Sequence, residues 1–149
     1  MSRPLRVEFP GAIHHVMCRG NGRQQIFHDD GDYQRLLDGL ALTVNRYGWE
    51  TFSFVMMPNH FHVFLRTPQP NLSRGMQYLA SGYANWYAKR HRRPGHLLQG
   101  RFKSELVEDE TYPFRDAIHG CRRTSPRRFA CGEVVCRNRR QPAGLGEGL

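Results

Sequence analysis

The chain has 149 residues, 39% of them hydrophobic, and its 22 lysines and arginines against 13 acidic residues give a net charge of +9 at pH 7. This length suits one domain that buries a sizeable core. The basic excess favours a polyanionic partner, and nucleic acid fits better than a membrane surface. No segment approaches the roughly 20 apolar residues that span a bilayer, and the N-terminus lacks the apolar core of a signal peptide. We therefore expect a cytoplasmic protein whose four cysteines are reduced thiols.

The first part of the chain predicts a strand followed by a helix. Residues 12 to 19 are compatible with a strand and run into a Gly-Asn-Gly turn signal. Asp29 or Asp30 is a suitable N-cap for a helix that ends near Tyr47. The apolar residues of this helix recur at helical spacing, so one stripe should pack on the sheet. They are Leu36, Leu37, Leu40 and Val44.

The following residues predict two strands, a second helix and a fourth strand. Residues 49 to 57 and 60 to 66 are strands joined by a Pro-Asn turn. Asn71 is a suitable cap for a long helix with Lys89 and Arg90 near its C-terminus, and residues 99 to 107 form the fourth strand. This order is that of the split βαβ arrangement, so we predict an α+β, ferredoxin-like fold with both helices on one face of the sheet.

Two histidines, His60 and His62, lie in the third predicted strand. Because side chains alternate along a strand, residues two apart share a face at roughly 7 Å in Cα separation, and both imidazoles can reach one cation. Phe61 and Val63 then face the core. A lone histidine in an apolar strand usually only packs there. A pair on one face, completed by water and phosphate oxygens, suits a divalent ion that polarises a DNA phosphate, so we interpret both as metal ligands.

Other histidines and aromatic residues have simpler interpretations. His14 and His15 are neighbours in the first strand and point to opposite faces, so at most one can approach the metal pair. Their expected role is strand packing. Tyr83, Trp86 and Tyr87 could stack on bases, but aromatic residues at helical spacing are more often part of a core.

Six motifs in a fixed order carry a family resemblance. They are RPLRVEFPGA at residues 3–12, HV at 15–16, RGN at 19–21, MPNHFH at 57–62, NLSRGM at 71–76 and GHLLQGRFK at 95–103. With these motifs, residues 1 to 112 resemble the single-tyrosine (Y1) transposases that are associated with bacterial repetitive extragenic palindromes. These proteins belong to the HUH superfamily of transposases found in insertion sequences.

The resemblance implies a function as well as a fold. It implies the HUH nuclease form of the ferredoxin-like fold, Mg²⁺ or Mn²⁺ at His60 and His62, and a tyrosine nucleophile that becomes covalently linked to DNA. The implied partner is hairpin or single-stranded DNA with palindromic repeats, bound by a monomer or a homodimer. DNA contacts are implied at five basic side chains. They are Arg19, Arg23, Arg74, Arg101 and Lys103.

Residues 113 to 149 differ in character from the rest of the chain. Eight arginines against three acidic residues give this segment a charge of +5, its apolar residues show no periodicity, and its end has the composition of a disordered segment. In the relatives a helix here carries a tyrosine and, four residues later, an asparagine. This chain has Ala117 or His119 at the tyrosine position, depending on the alignment. Tyr112 is a weak candidate for a substitute nucleophile. Its simpler interpretation is a residue that packs at the start of a helix.

The composition suggests why the tyrosine segment is missing. Arginine outnumbers lysine 20 to 2, which indicates GC-rich coding DNA, and reading such DNA out of frame yields Arg, Pro, Gly and Ala. We therefore hypothesise a frameshift near codon 113.

The sequence thus predicts a transposase-like DNA-binding protein that acts in DNA transposition by metal-dependent nicking and rejoining of strands. By family it is an enzyme, although its family nucleophile is missing. One alternative is a non-catalytic module that binds hairpin DNA. A second alternative is a zinc-binding, basic nucleic-acid-binding protein, although the cysteine spacing matches no common zinc ribbon. Its ligands would be His119, Cys121, Cys131 and Cys136.

Overall fold

The computed structural model describes residues 5–108 and 130–132, and these form an antiparallel sheet with two helices on one face. The element bounds are β1 (Ala12–Arg19), α1 (Asp30–Tyr47), β2 (Glu50–Met57), β3 (His60–Thr67), α2 (Leu72–His91), β4 (Lys103–Val107) and β5 (Ala130–Gly132). The strands lie in the order β4-β1-β3-β2-β5. The first four have the predicted split βαβ order, so the ferredoxin-like α+β fold is confirmed. The short fifth strand pairs with the edge of the second and is not among the predicted elements.

The core lies between the helices and one face of the sheet. Alternate residues of β1 are buried and half-buried, as the period of a strand requires. Val16 of β1, Met56 of β2 and Phe61 of β3 are fully buried and face the helices. Leu36 of α1 and Met76 of α2 pack against them. The other face of the central strands therefore carries the side chains at the odd positions of β1 and the even positions of β3.

Local signals explain the bounds of α1. The carboxylate of Asp29 accepts a hydrogen bond from the backbone N–H of Asp32 at 3.0 Å, which is an N-cap. Gly48 ends the helix with a positive φ of 70°, a conformation that glycine adopts without strain. Both ends agree with the prediction.

The start of α2 is capped differently from the prediction. Asn71 occupies the N-cap position, but its side chain makes no capping bond. Its amide oxygen accepts from Nε1 of Trp49 at 2.8 Å, and its amide nitrogen donates to the carbonyl of Tyr47 at 3.0 Å. The carboxylate of Glu8 accepts instead from the backbone N–H of Ser73 at 3.0 Å. A negative charge at this end of the helix also complements its dipole.

The fourth strand begins at Lys103, four residues later than predicted. Gly100 has a positive φ of 54°, which interrupts the extended backbone. The preceding loop is nevertheless attached to β1, because the N–H of Gln99 donates to the carbonyl of Arg19 at 2.8 Å. The guanidinium of Arg6 lies 3.7 Å from the ring centre of Phe102, the residue before this strand.

A buried carboxylate ties the start of α1 to the end of α2. The side chain of Asp32 is fully buried and accepts from the N–H of His28 and from Arg90, each at 2.9 Å. His91 lies 3.0 Å from the same carboxylate. Arg90 also pairs with Asp29 at 2.9 Å. The cluster is internally satisfied, so we interpret it as a clamp between the helices.

Gly75 lies where α2 crosses Trp49, and the contact leaves no room for a side chain. A Cβ at this position would lie 2.0 Å from Cζ2 of Trp49, whose side chain is 1% exposed and fixed by its bond to Asn71. We expect Gly75→Ala to lower the free energy of unfolding by about 2–3 kcal/mol, since a tightly packed core must shift to accept the methyl group. Urea unfolding followed by circular dichroism measures this change.

Gly82 provides the matched control in the same helix. A Cβ there would meet nothing within 4 Å, and the residue is exposed. Gly82→Ala should therefore stabilise the protein by about 0.5–1 kcal/mol through helix propensity. Equal urea midpoints for Gly75→Ala and the parent chain would contradict the packing argument.

Candidate metal and nucleic-acid site

The sheet face opposite the helices carries the candidate site, and we call it the histidine face. It is defined by His15, Met17 and Arg19 of β1 and by His60, His62 and Phe64 of β3. Directly opposed residues of antiparallel strands share a face, and β3 lies between β1 and β2. His60 is therefore flanked by Arg19 and Met57, and His62 by Met17 and Val55.

His60 and His62 lie side by side on this face. Their ring centres are 5.1 Å apart and their planes are nearly perpendicular, at 80°. Nδ1 of His60 donates to the amide oxygen of Asn59 at 2.7 Å. Because an amide oxygen only accepts, the proton of His60 is on Nδ1 and its Nε2 presents a lone pair. The sequence argument that both rings share one face therefore agrees with the geometry.

Both imidazoles are neutral near pH 7. Burial lowers the pKa of His62 to about 4, and the neighbouring charges of His15, His60 and Arg19 act in the same direction. Burial also lowers the pKa of His60, again helped by Arg19. A neutral imidazole is the form that binds a metal ion, so the environment favours ligation over protonation.

His15 joins the pair, which the sequence analysis did not expect. Its Nε2 lies 2.8 Å from Nδ1 of His62, and its ring stacks on Phe64 with centres 4.3 Å apart. Nδ1 of His15 faces the carboxylate of Glu105 on β4 at 4.0 Å. His14 points to the helical side and is 1% exposed. Because side chains alternate along β1, His14 and His15 lie on opposite faces of the sheet. The register between β1 and β3 then brings His15 next to His62.

Two of the five predicted DNA-contacting residues lie on the histidine face. Arg19 is opposite His60, and Lys103 is opposite Met17, which in turn is opposite His62. A third, Arg23, lies in the short 3-10 helix after β1, and its backbone carbonyl accepts from the amide of Asn59 at 3.5 Å. The histidine face thus carries two cationic residues, and Asn59 connects the Arg23 segment to His60.

The other two predicted contacts lie elsewhere. Arg74 is exposed on α2, in the helical layer, and is not brought to the histidine face. Arg101 lies on the loop before β4 and lines a cavity of about 490 Å³. Arg19, Gln99 and Ser73 line the same cavity, so it opens beside the end of β1. Arg101 therefore shares a cavity with Arg19 and with residues of α2, which lie in the helical layer.

The aromatic residues of α2 belong mainly to the core. Tyr83 and Tyr87 are buried, and the Tyr83 hydroxyl donates to the carbonyl of Ile26. Trp86 is half-buried, with the guanidinium of Arg90 at 5.2 Å from its ring centre. Base stacking by the two tyrosines would require the core to open, and this supports the simpler interpretation.

The donor set fits a divalent ion only in part. Within residues 5–108, no group of three or more His, Cys, Asp or Glu side chains is arranged to hold a metal. The protein thus offers two neutral imidazoles. A hard divalent cation would take its remaining ligands from water and phosphate oxygens, which it prefers. The pair therefore fits a cation that is shared with a DNA phosphate.

Several predicted residues lie outside the described ones. Neither Tyr112 nor the tyrosine position near residues 117–119 is described, and of the zinc alternative only the backbone of Cys131 is. Cys18 is a free, buried cysteine in β1, and burial raises the pKa of its thiol to about 12. A thiol in this state is unreactive.

Comparison with known proteins identifies the family. Residues 9–113 match the family described as "Transposase IS200 like". The chain therefore belongs to the IS200-like family of Y1 transposases, and the resemblance that the sequence motifs carry is confirmed. No curated protein matches it. No helix within the described residues is long and apolar enough to cross a membrane.

Two solved structures share the fold. One is a REP-associated tyrosine transposase bound to a REP hairpin, with 18% identity and a TM-score of 0.62 over 80% of this chain and 68% of that one. The other is a protein assigned as a transposase from Deinococcus radiodurans R1, with 20% identity and a TM-score of 0.53 over 80% of this chain and 95% of that one. At these identities the comparison shows a common fold.

Proposed function

We propose that the chain binds hairpin or single-stranded DNA on its histidine face and shares a divalent cation, Mg²⁺ or Mn²⁺, between His60, His62 and a DNA phosphate. One observation carries this proposal. Two neutral imidazoles lie 5.1 Å apart on a sheet face that also carries Arg19 and Lys103. In the family context this is the arrangement for strand nicking and rejoining in DNA transposition.

Each group on the face has a separate task. His60 and His62 would hold the cation through their Nε2 atoms, since Nδ1 of each ring already has a partner. Arg19, Arg23 and Lys103 would bind neighbouring phosphates and fix the register of the strand. When bound, the cation would polarise the scissile phosphate for attack. On this proposal the described residues would bind and orient the DNA.

A non-catalytic role is the second candidate. It is favoured by the sequence after residue 112, which lacks the tyrosine segment of the relatives. In that case residues 1–112 are the DNA-binding domain, and residues 113–149 are an arginine-rich tail that adds charge but no nucleophile. Both candidates require DNA on the histidine face, and they differ in whether strands are cut.

We expect the double variant Arg19→Ala, Lys103→Ala to bind hairpin DNA about tenfold more weakly than the parent, with a shallower dependence on salt. Each lost phosphate contact releases one counterion fewer, which lowers the slope of log K against log salt by about 1. Fluorescence anisotropy with a labelled hairpin, measured from 50 to 300 mM salt, gives both quantities.

The variant Arg35→Ala, Lys89→Ala is the matched control. It removes the same charge from exposed positions on α1 and α2, in the helical layer. Affinity should fall by less than in the histidine-face variant, through long-range charge alone. If both variants lost affinity equally, DNA would not be bound specifically on the histidine face.

A further inference from the structure

His15 is within bonding distance of a proposed metal ligand, yet it is not itself one of the pair. Its Nε2 is 2.8 Å from Nδ1 of His62, a distance for one hydrogen bond between two imidazoles. Stacking on Phe64, with planes 4° apart, fixes the ring in this orientation. On its far side, Nδ1 of His15 faces Glu105 at 4.0 Å. Glu105, His15 and His62 thus form a continuous polar row across β4, β1 and β3.

The direction of the central hydrogen bond decides whether His62 can bind a cation. A neutral imidazole carries one proton, and the nitrogen without it is the one that accepts or ligates. If His15 donated to Nδ1 of His62, the proton of His62 would be on Nε2 and that atom could not ligate. If His62 donates from Nδ1, its Nε2 presents a lone pair. His60 is in this state, because its Nδ1 donates to Asn59 and its Nε2 carries the lone pair.

The exposed Glu105 carboxylate, 4.0 Å from Nδ1 of His15, is too far away for a hydrogen bond, but its charge favours one of these two arrangements. A carboxylate only accepts, so it favours a proton on Nδ1 of His15. Nε2 of His15 is then the acceptor for the Nδ1 proton of His62. A second partner that fixes the tautomer of a ligating histidine is a general feature of metal sites, where its loss lowers metal affinity 10- to 100-fold.

We propose that His15 is a positioning residue that accepts the Nδ1 proton of His62 and thereby turns the lone pair of His62 Nε2 toward a divalent cation. Asn59 does the same for His60. This inference rests on the proposed function, because it assumes a cation at the histidine pair. It gives the polar row from Glu105 to His62 a role that strand packing does not explain.

Two substitutions test the hydrogen-bond acceptor of His15 and its aromatic ring independently. His15→Phe preserves an aromatic ring that can stack on Phe64 but removes the acceptor. His15→Gln loses the ring but places an amide oxygen near the position of Nε2. Binding of Mn²⁺ by the full chain, followed through the electron paramagnetic resonance signal of free Mn²⁺, should weaken about 10- to 100-fold in His15→Phe and be largely restored in His15→Gln.

A second readout needs no metal. In the metal-free chain labelled with ¹⁵N-histidine, long-range ¹H–¹⁵N spectra should show the proton of His62 on Nδ1. It should move toward Nε2 in His15→Phe and remain on Nδ1 in His15→Gln. Circular dichroism of each variant verifies that the fold is intact. If the Phe variant does not fold, the position of the His62 proton in the parent chain still tests the inference.

The outcomes separate this inference from the proposed function. Unchanged Mn²⁺ affinity in folded His15→Phe, or a parent chain with the His62 proton on Nε2, would overturn the role of His15. Absence of Mn²⁺ binding by the parent chain, with and without DNA, would overturn the metal site itself. In that case the tautomer spectra still decide whether His15 orients His62.

Discussion

Replacing both His60 and His62 with alanine should abolish Mn²⁺ binding by the full chain. The two rings provide the protein's share of the ligands, and within residues 5–108 no larger group of ligating side chains is arranged to replace them. The parent should bind Mn²⁺ weakly alone, since two protein ligands make an incomplete site. Hairpin DNA should tighten binding about tenfold or more, because a phosphate oxygen completes the coordination shell. Titration with and without DNA, using the Mn²⁺ resonance signal, measures both effects.

His96→Ala is the control for the loss of a histidine. His96 is exposed in the loop after α2 and is not one of the residues that define the histidine face. This variant should bind Mn²⁺ as the parent does, both alone and with DNA. Equal binding by the parent and by the variant that lacks His60 and His62 would show that the cation binds elsewhere.

The parts of the site that follow from local periodicity could be predicted from the sequence. Because side chains alternate along β3, His60 and His62 share one face whichever strand β3 pairs with, and the structure contains the predicted strand. The bounds of α1 follow from Asp29 and Gly48, which act on their own backbone. The order of elements then leaves few topologies, and the antiparallel order with β1 beside β3 is the common one.

The parts that depend on pairing could not be predicted. His15 meets His62 across 47 positions of sequence, and this contact exists only in one register of β1 against β3. Glu8 caps α2 across 65 positions, so the expected cap, Asn71, is available to hold Trp49 instead. Composition and spacing carry no information about such contacts, although on our proposal the contact with His15 decides which nitrogen of His62 faces a cation.

The part of the family chemistry that this sequence does not supply is the nucleophile. The relatives carry a tyrosine and, four residues later, an asparagine on a helix that follows the fourth strand. Residues i and i+4 share a helix face, so one helix presents both groups together. This chain has the histidine pair but, after residue 112, neither alignment provides the phenol. A frameshift near codon 113 would explain the change, and another reading frame of the coding DNA should then contain a tyrosine-asparagine-proline segment.

The chain as it stands should form no covalent adduct with DNA, and replacing residues 113–149 with a family-type helix that bears the tyrosine and the asparagine should restore one. In that reaction the phenol oxygen bonds to phosphorus while the bond to the 3′ oxygen breaks, which leaves a 5′-phosphotyrosine and a free 3′-OH. His119→Tyr alone should do little, since Gly120 disfavours a supporting helix. Labelled hairpin DNA incubated with Mn²⁺ and each protein, followed by a denaturing gel, detects the adduct. An adduct formed by the unmodified chain and lost in Tyr112→Phe would identify Tyr112 as the nucleophile instead.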